Sequence, residues 1–171
     1  MTETAVINGQ ANPVISRVWR YGLDLLSSET SPRGLVTSWL WDDFGRMKQE
    51  PRADGPGITV QYLPCAGACF ASRGAYQVRS TRGDGFWSAS INDVWGRAVG
   101  SEFPLTGGQT SRQLTEYDAL GRVRQQTVPY INGESQYQVD YRYDIAGRKK
   151  SEDRPVDESG SAVASTRWTY S

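Results

Sequence analysis

One short string, Asp-x-x-Gly-Arg behind an aromatic or polar residue, recurs at nearly constant spacing through this 171-residue chain. The clearest copies are Tyr117-Asp118-Ala119-Leu120-Gly121-Arg122 and Tyr143-Asp144-Ile145-Ala146-Gly147-Arg148. Upstream stand Asn92-Asp93-Val94-Trp95-Gly96-Arg97 and Trp41-Asp42-Asp43-Phe44-Gly45-Arg46. Gly96, Gly121 and Gly147 follow one another at 25 and then 26 residues, and Gly45 precedes Gly96 by 51, or two such periods. Self-similarity at this period marks a repeat architecture, in which each unit buries its apolar surface against its neighbours. A degenerate or insertion-bearing unit is expected over residues 55–80.

The residue types in the string describe a chain reversal. Aspartate at the first position of a β-turn offers its carboxylate to nearby backbone N–H groups, and glycine three positions later accepts the positive φ that other residues resist. Arginine then leaves the turn beside the acidic group, ready for an ion pair or a ring contact. Asp42, Gly45 and Arg46, Asp93, Gly96 and Arg97, Asp118, Gly121 and Arg122, and Asp144, Gly147 and Arg148 are therefore assigned to structural repeat turns. The leading aromatics are expected to pack the units.

The flanks carry the period of a sheet. Tyr137, Val139, Tyr141 and Tyr143 share one parity, while Gln138, Asp140, Arg142 and Asp144 share the other. Trp39 and Trp41 repeat the spacing of Tyr141 and Tyr143, and so do Trp168 and Tyr170, which suggests a final unit interrupted at Ser171. After each glycine-arginine turn a mostly polar, strand-sized segment reaches Pro51, Pro104, Pro129 or Pro155. Proline removes a ladder donor and favours an edge or a connection. Asn132-Gly133 supplies a hairpin-turn signal before the Tyr137–Tyr143 strand. Residues 14–26 read as a first apolar strand or pair of strands, Ser27–Gly34 as a connection, residues 154–164 as a polar return loop, and residues 1–13 as a flexible lead. The fold expected is all-β, with tandem antiparallel hairpins over residues 14–171 forming a curved repeat sheet or part of a β-shell.

Several function classes lose support. Nineteen basic and nineteen acidic residues leave no net charge to draw the chain to nucleic acid or an anionic membrane. No stretch is long and apolar enough for a spanning helix, so direct membrane insertion is not expected, and the first residues do not resemble a secretion signal. Without histidine, the chain holds no histidine-based triad or histidine-containing metal cluster. The recurrent aspartates follow the turns, and no catalytic, cofactor-binding or metal-ligating residue is assigned. Cys65-Ala66-Gly67-Ala68-Cys69 is open to free or packed thiols, the favoured reading, to a disulfide, or to metal or thiol chemistry. Arg82-Gly83-Asp84 reads as a tight turn in preference to an adhesive tripeptide. The glycines at 55–57 and 107–108 lack the lysine-containing loop of a phosphate cradle.

The repeated aromatic-Asp-x-x-Gly-Arg units resemble the Rhs/YD-repeat family, named for its tyrosine-aspartate pair. Arg20-Tyr21-Gly22-Leu23-Asp24-Leu25-Leu26 is similar to the family's aromatic-Tyr-Gly-x-Asp-Leu segment, and Trp168-Thr169-Tyr170-Ser171 to a truncated copy. Asn92 and Trp41 depart from the usual tyrosine, and residues 55–80 match poorly. The resemblance implies a non-enzymatic scaffold or encapsulating wall in a secreted, surface-associated or toxin-delivery protein longer than this chain. Its implied partners are adjoining YD repeats and an enclosed C-terminal polypeptide. The alternative is a carbohydrate- or protein-binding β module at a cell surface. Neither reading calls for a cofactor. A short array of this kind exposes sheet edges that invite association.

Overall fold

A computed structural model of the chain describes residues 15–67, 69–157 and 162–170, with the backbone alone at 6–7 and 10–11. Most of the lead expected at 1–13, like Ser171, lies outside the described residues. The protein is all-β: every described strand pairing is antiparallel, and the one helical element among the described residues is a short 3₁₀ turn at Thr106–Gly108. The chain divides into two compact units, Met1–Gln61 with Arg79–Trp87, and Tyr62–Val78 with Ser88–Ser171.

In the first unit, β1 (Val6–Ile7) pairs with β2 (Gln10–Ala11). A three-stranded sheet follows, made of β3 (Ser16–Arg20), β4 (Leu25–Thr30) and β5 (Val36–Ser38). The expected connection over Ser27–Gly34 is therefore half strand. Ser28 and Glu29 are paired on both sides, with Val18 and Arg17 across one ladder and Ser38 and Thr37 across the other. The Glu29 carboxylate accepts from Arg17 Nε at 2.8 Å. Cross-strand pairing thus satisfies polar residues that composition alone assigns to a loop. The reversal itself is confined to Ser31–Leu35, where Ser31 N–H donates to the Leu35 carbonyl and Gly34 N–H to that of Ser31. A second ladder runs through β6 (Leu40–Trp41), β7 (Met47–Glu50) and the start of β8 (Ile58–Pro64).

Strands β9 (Tyr76–Arg82) and β10 (Trp87–Asn92) contribute residues to both units. From β10 onward the second unit is a succession of hairpins: β11 (Ala98–Pro104), β12 (Thr110–Tyr117), β13 (Val123–Thr127), β15 (Gln138–Tyr143), β16 (Lys149–Pro155) and β17 (Val163–Arg167) lie side by side in that order. Among the described residues no sheet closes into a barrel. Pro104 and Pro155 end strands, and Pro129 follows β13 within two residues, as a residue without a ladder donor must.

Two connections differ from expectation. Asn132-Gly133 does not join β13 to β15 directly. The return loop spans Val128–Tyr137, closed by Val128 N–H to the Tyr137 carbonyl at 2.8 Å. Within that loop β14 (Tyr130–Ile131) doubles back to pair with Ser111 and Arg112 of β12, which buries Tyr130. Gly133, with φ near 96°, turns the chain out of this excursion. Residues 154–164 are likewise shorter as a loop than their polarity suggests, because Arg154 and Pro155 remain paired with Ala164 and Val163.

Apolar burial is thin. Among the described residues Ile91 is the one large side chain buried below 2% exposure. It clusters with Cys65, Ala71 and Val99, and Phe70, Leu114 and Tyr117 pack against them. Elsewhere the second unit relies on ladder hydrogen bonds and side-chain contacts between successive hairpins.

Candidate functional site

The four motif turns share one hydrogen-bond scheme. The aspartate N–H donates to the arginine carbonyl and the glycine N–H to the aspartate carbonyl, at Asp42–Arg46, Asp93–Arg97, Asp118–Arg122 and Asp144–Arg148. The glycines take φ of 76°, 80°, 78° and 82°, and the ladder slips by one residue just before each aspartate. These are type I turns closed by a glycine bulge, a three-residue hairpin loop whose left-handed position strains any side chain with a Cβ.

Each carboxylate is divided between backbone and side chain. Oδ1 of Asp42, Asp93 and Asp118 accepts two N–H groups at 2.9 Å, from Phe44 and Arg46, Trp95 and Arg97, and Leu120 and Arg122. Oδ1 of Asp144 accepts from Arg148 N at 2.8 Å. Oδ2 binds the arginine Nε of the same turn at 2.7–2.8 Å in all four. In Asp118 the Arg122 guanidinium, followed by its backbone N–H, holds the carboxyl below its usual value. In Asp42, Asp93 and Asp144 partial desolvation pushes upward but is outweighed by the arginine and backbone donors, so these too are lowered. All four are firmly ionised and fully engaged, the opposite of a poised acid or base.

Sequence spacing alone misses what the arginines do next. Arg97 lies 4.6 Å from the centroid of Tyr117, Arg122 4.4 Å from Tyr143 and Arg148 4.2 Å from Tyr170. In each case the ring belongs to the following repeat. Its hydroxyl donates back to the carbonyl just beyond the arginine: Tyr117 to Ala98 at 2.9 Å, Tyr143 to Val123 at 2.7 Å, and Tyr170 to Lys149 at 2.7 Å. The arginine also lies over the next turn, since a Cβ on Gly121 or Gly147 would sit 3.8 Å from Arg97 Nη1 or 3.9 Å from Arg122 Nη1. Aspartate thus orients arginine, and arginine with tyrosine joins one repeat to the next. Trp168 and Tyr170 continue this pattern, with Tyr170 in the same role as Tyr117 and Tyr143.

The first unit contains an apolar version. The Trp41 indole N–H donates to the Leu26 carbonyl at 2.9 Å, and a Cβ on Gly45 would lie 3.7 Å from Leu25 Cδ1. Leu25 takes the position that arginine holds elsewhere, and tryptophan replaces tyrosine.

The array departs most from its period between β8 and β9. Where a further Asp-x-x-Gly-Arg turn would fall, the chain makes the Cys65–Ala75 loop, closed by Cys65 N–H to the Ala75 carbonyl at 2.9 Å. Cys65 and Cys69 form a disulfide with Cα atoms 5.1 Å apart, in place of the free or packed thiols favoured from sequence. Positive φ at Ala66 and Gly67 lets so short a loop close. Ala75 N–H then donates to the Asn92 carbonyl at 2.7 Å, so the loop covers the entry to the Asp93 turn. The Asn92 amide, lacking a ring, folds back to the Ser90 carbonyl at 3.1 Å. Gly74 and Gly100 permit this packing: a Cβ on Gly74 would come within 2.4 Å of Ile91 Cγ2, and one on Gly100 within 3.0 Å of Ala71 and Phe70.

Arg82-Gly83-Asp84 forms the β9–β10 turn, with Arg82 N–H bonded to the Phe86 carbonyl at 2.8 Å. Arg82 and Asp84 are paired to each other at 2.7 Å. The two charges are folded together, not presented separately. Among the described residues no three His, Cys, Asp or Glu side chains converge on a metal-sized site, and no helix is long and apolar enough to cross a membrane. No protein-family model matches the chain, and no curated protein is matched by it.

Proposed function

We propose that the chain is a non-enzymatic wall segment of a secreted or toxin-delivery repeat protein of the Rhs/YD type, whose stacked hairpins enclose or present another polypeptide. The observation that carries this reading is the arginine–tyrosine link repeated three times between successive hairpins. It uses the exit of one motif and the entry of the next, so the motif's work is done at the junction between repeats. A chain spending its most regular residues on such junctions is built for extension. The motif aspartates, each bound to its own turn, leave no free carboxylate pair for catalysis. Adjoining repeats of the same type and an enclosed C-terminal polypeptide are the partners this reading requires.

Protease protection in the natural polypeptide is the test. A distinct domain following the array should survive digestion that destroys the same domain expressed alone; equal digestion of both overturns the proposal. A standalone binding module is the second reading, favoured by one local feature, the exposed Trp95 beside Arg73.

A further inference from the structure

The Cys65–Ala75 loop does more than replace a turn, because it brings Arg73 over the space between the Asp93 and Asp118 turns. There Arg73, Trp95, Arg97 and Tyr117 line an inner pocket of about 270 Å³, which continues onto an open shelf beside Ala119 and Gly121. Trp95 is 77% exposed, and the Arg97 guanidinium lies 4.8 Å from its ring, the same guanidinium that stacks on Tyr117. Val94 and Leu120, 75% and 77% exposed, extend the apolar surface onto the two turn tips.

The charges around this groove are nearly all satisfied. Asp93 is bound by Arg97, Asp118 by Arg122 and Glu116 by Arg124. Arg73 alone among the charged lining residues has no partner within the described chain. The groove therefore carries one uncompensated guanidinium beside an exposed indole. Arginine pairs most strongly with a carboxylate, through two parallel N–H bonds. Trp, Tyr and Arg are the residue types that dominate protein–protein hot spots. An inner pocket of about 270 Å³ opening onto a shelf of about 610 Å³ suits a segment that seats one side chain in the pocket and lies along the shelf. Its position is interior to the ladder, between β10–β11 and β12–β13, so its exposure does not come from an unpaired sheet edge.

We propose that this groove is a docking site for a polypeptide segment that pairs an Asp or Glu with a nearby large apolar side chain, the carboxylate on Arg73 and the apolar group against Trp95 and Tyr117. The site does not depend on the array enclosing anything. Random heptapeptides displayed on phage and selected against the full chain test it. Enriched peptides should carry an acidic residue within a few positions of an aromatic or long aliphatic one. Synthesised, they should bind at least tenfold more weakly to Arg73→Ala and to Trp95→Ala, while Arg20→Ala, a charge change outside the groove, leaves binding unchanged. Both groove residues are exposed, and unchanged circular dichroism and melting of the variants would confirm that folding is intact. No enrichment over the Arg73→Ala/Trp95→Ala double variant, a basic consensus, or saturable binding of trigalacturonate without any peptide would overturn the proposal.

Discussion

The Asp93 and Asp144 turns have the same scheme of main-chain and ion-pair bonds but live in different surroundings. Asp144 is one-fifth exposed and Arg148 one-half, whereas the Asp93 side chain is 4% exposed and Arg97 31%. The carboxylate difference goes with the disulfide loop, which packs Cys65 and Ala71 on Ile91 and bonds to Asn92 at the entry of the Asp93 turn. The arginine difference does not, since Arg122, whose turn has no such loop, is 29% exposed and as covered as Arg97. A turn's geometry is therefore local, written in five residues, while its burial depends on what a neighbouring unit places over it. The two turns form a matched pair in which the motif is constant and the cover varies.

The largest effect should come from emptying the covered side. Ile91→Ala removes a fully buried large side chain and should destabilise the second unit by about 2–5 kcal/mol in urea unfolding. Ile145→Ala, at a fully exposed tip of the bare turn, should stay within ~0.5 kcal/mol. Equal effects would erase the contrast.

Next in size is the cover itself. Opening the Cys65–Cys69 loop by reduction should cost about 2 kcal/mol, the loop-entropy value for so short a ring. In hydrogen exchange the Trp95 and Arg97 amides should lose protection on reduction, while the Arg148 amide does not change. Unchanged exchange at Arg97 would mean that the loop does not shelter the turn.

Gly147→Val tests the bare turn on its own. The left-handed backbone at φ 82° should cost ~1–2 kcal/mol for any Cβ, and more for a β-branched one. Full retention of stability would rule out the glycine-bulge assignment.

The smallest expected effect is on pH dependence. Each motif carboxyl is held below 3.8 in the fold, so the turns contribute fully above that value and lose their contribution as pH falls through the lower folded values. Asp144→Asn should flatten the acid limb of the stability curve slightly, and an unaltered limb would place the acid sensitivity elsewhere.

Much of this was legible in the residues. Aspartate and glycine at fixed offsets specify a turn without outside help, and the 25–26 residue period orders the hairpins. What sequence could not supply were contacts set by register. The arginine's partner lies in the next repeat, at the tyrosine whose hydroxyl reaches back 19 to 21 residues, and only the pairing of strands brings the two together. That nearly constant offset was the available signal, since a tyrosine follows Arg97, Arg122 and Arg148 at 20 to 22 residues. Ser28 and Glu29 read as a connection because polar residues on a strand paired on both sides look, one at a time, like loop. The Cys65–Ala75 loop was marked by a missing motif, but its packing depends on Gly74 and Gly100 meeting side chains from elsewhere in the fold.

Arginine and tyrosine couple successive repeats, and a double-mutant cycle on Arg122 and Tyr143 measures that coupling. Arg122→Gln, Tyr143→Leu and the double variant, each followed by urea unfolding, should give a coupling of about 0.5–1 kcal/mol, the size of a partly exposed cation–π contact. Additive effects, with coupling near zero, would show that the rings and guanidiniums lie side by side without holding the repeats together.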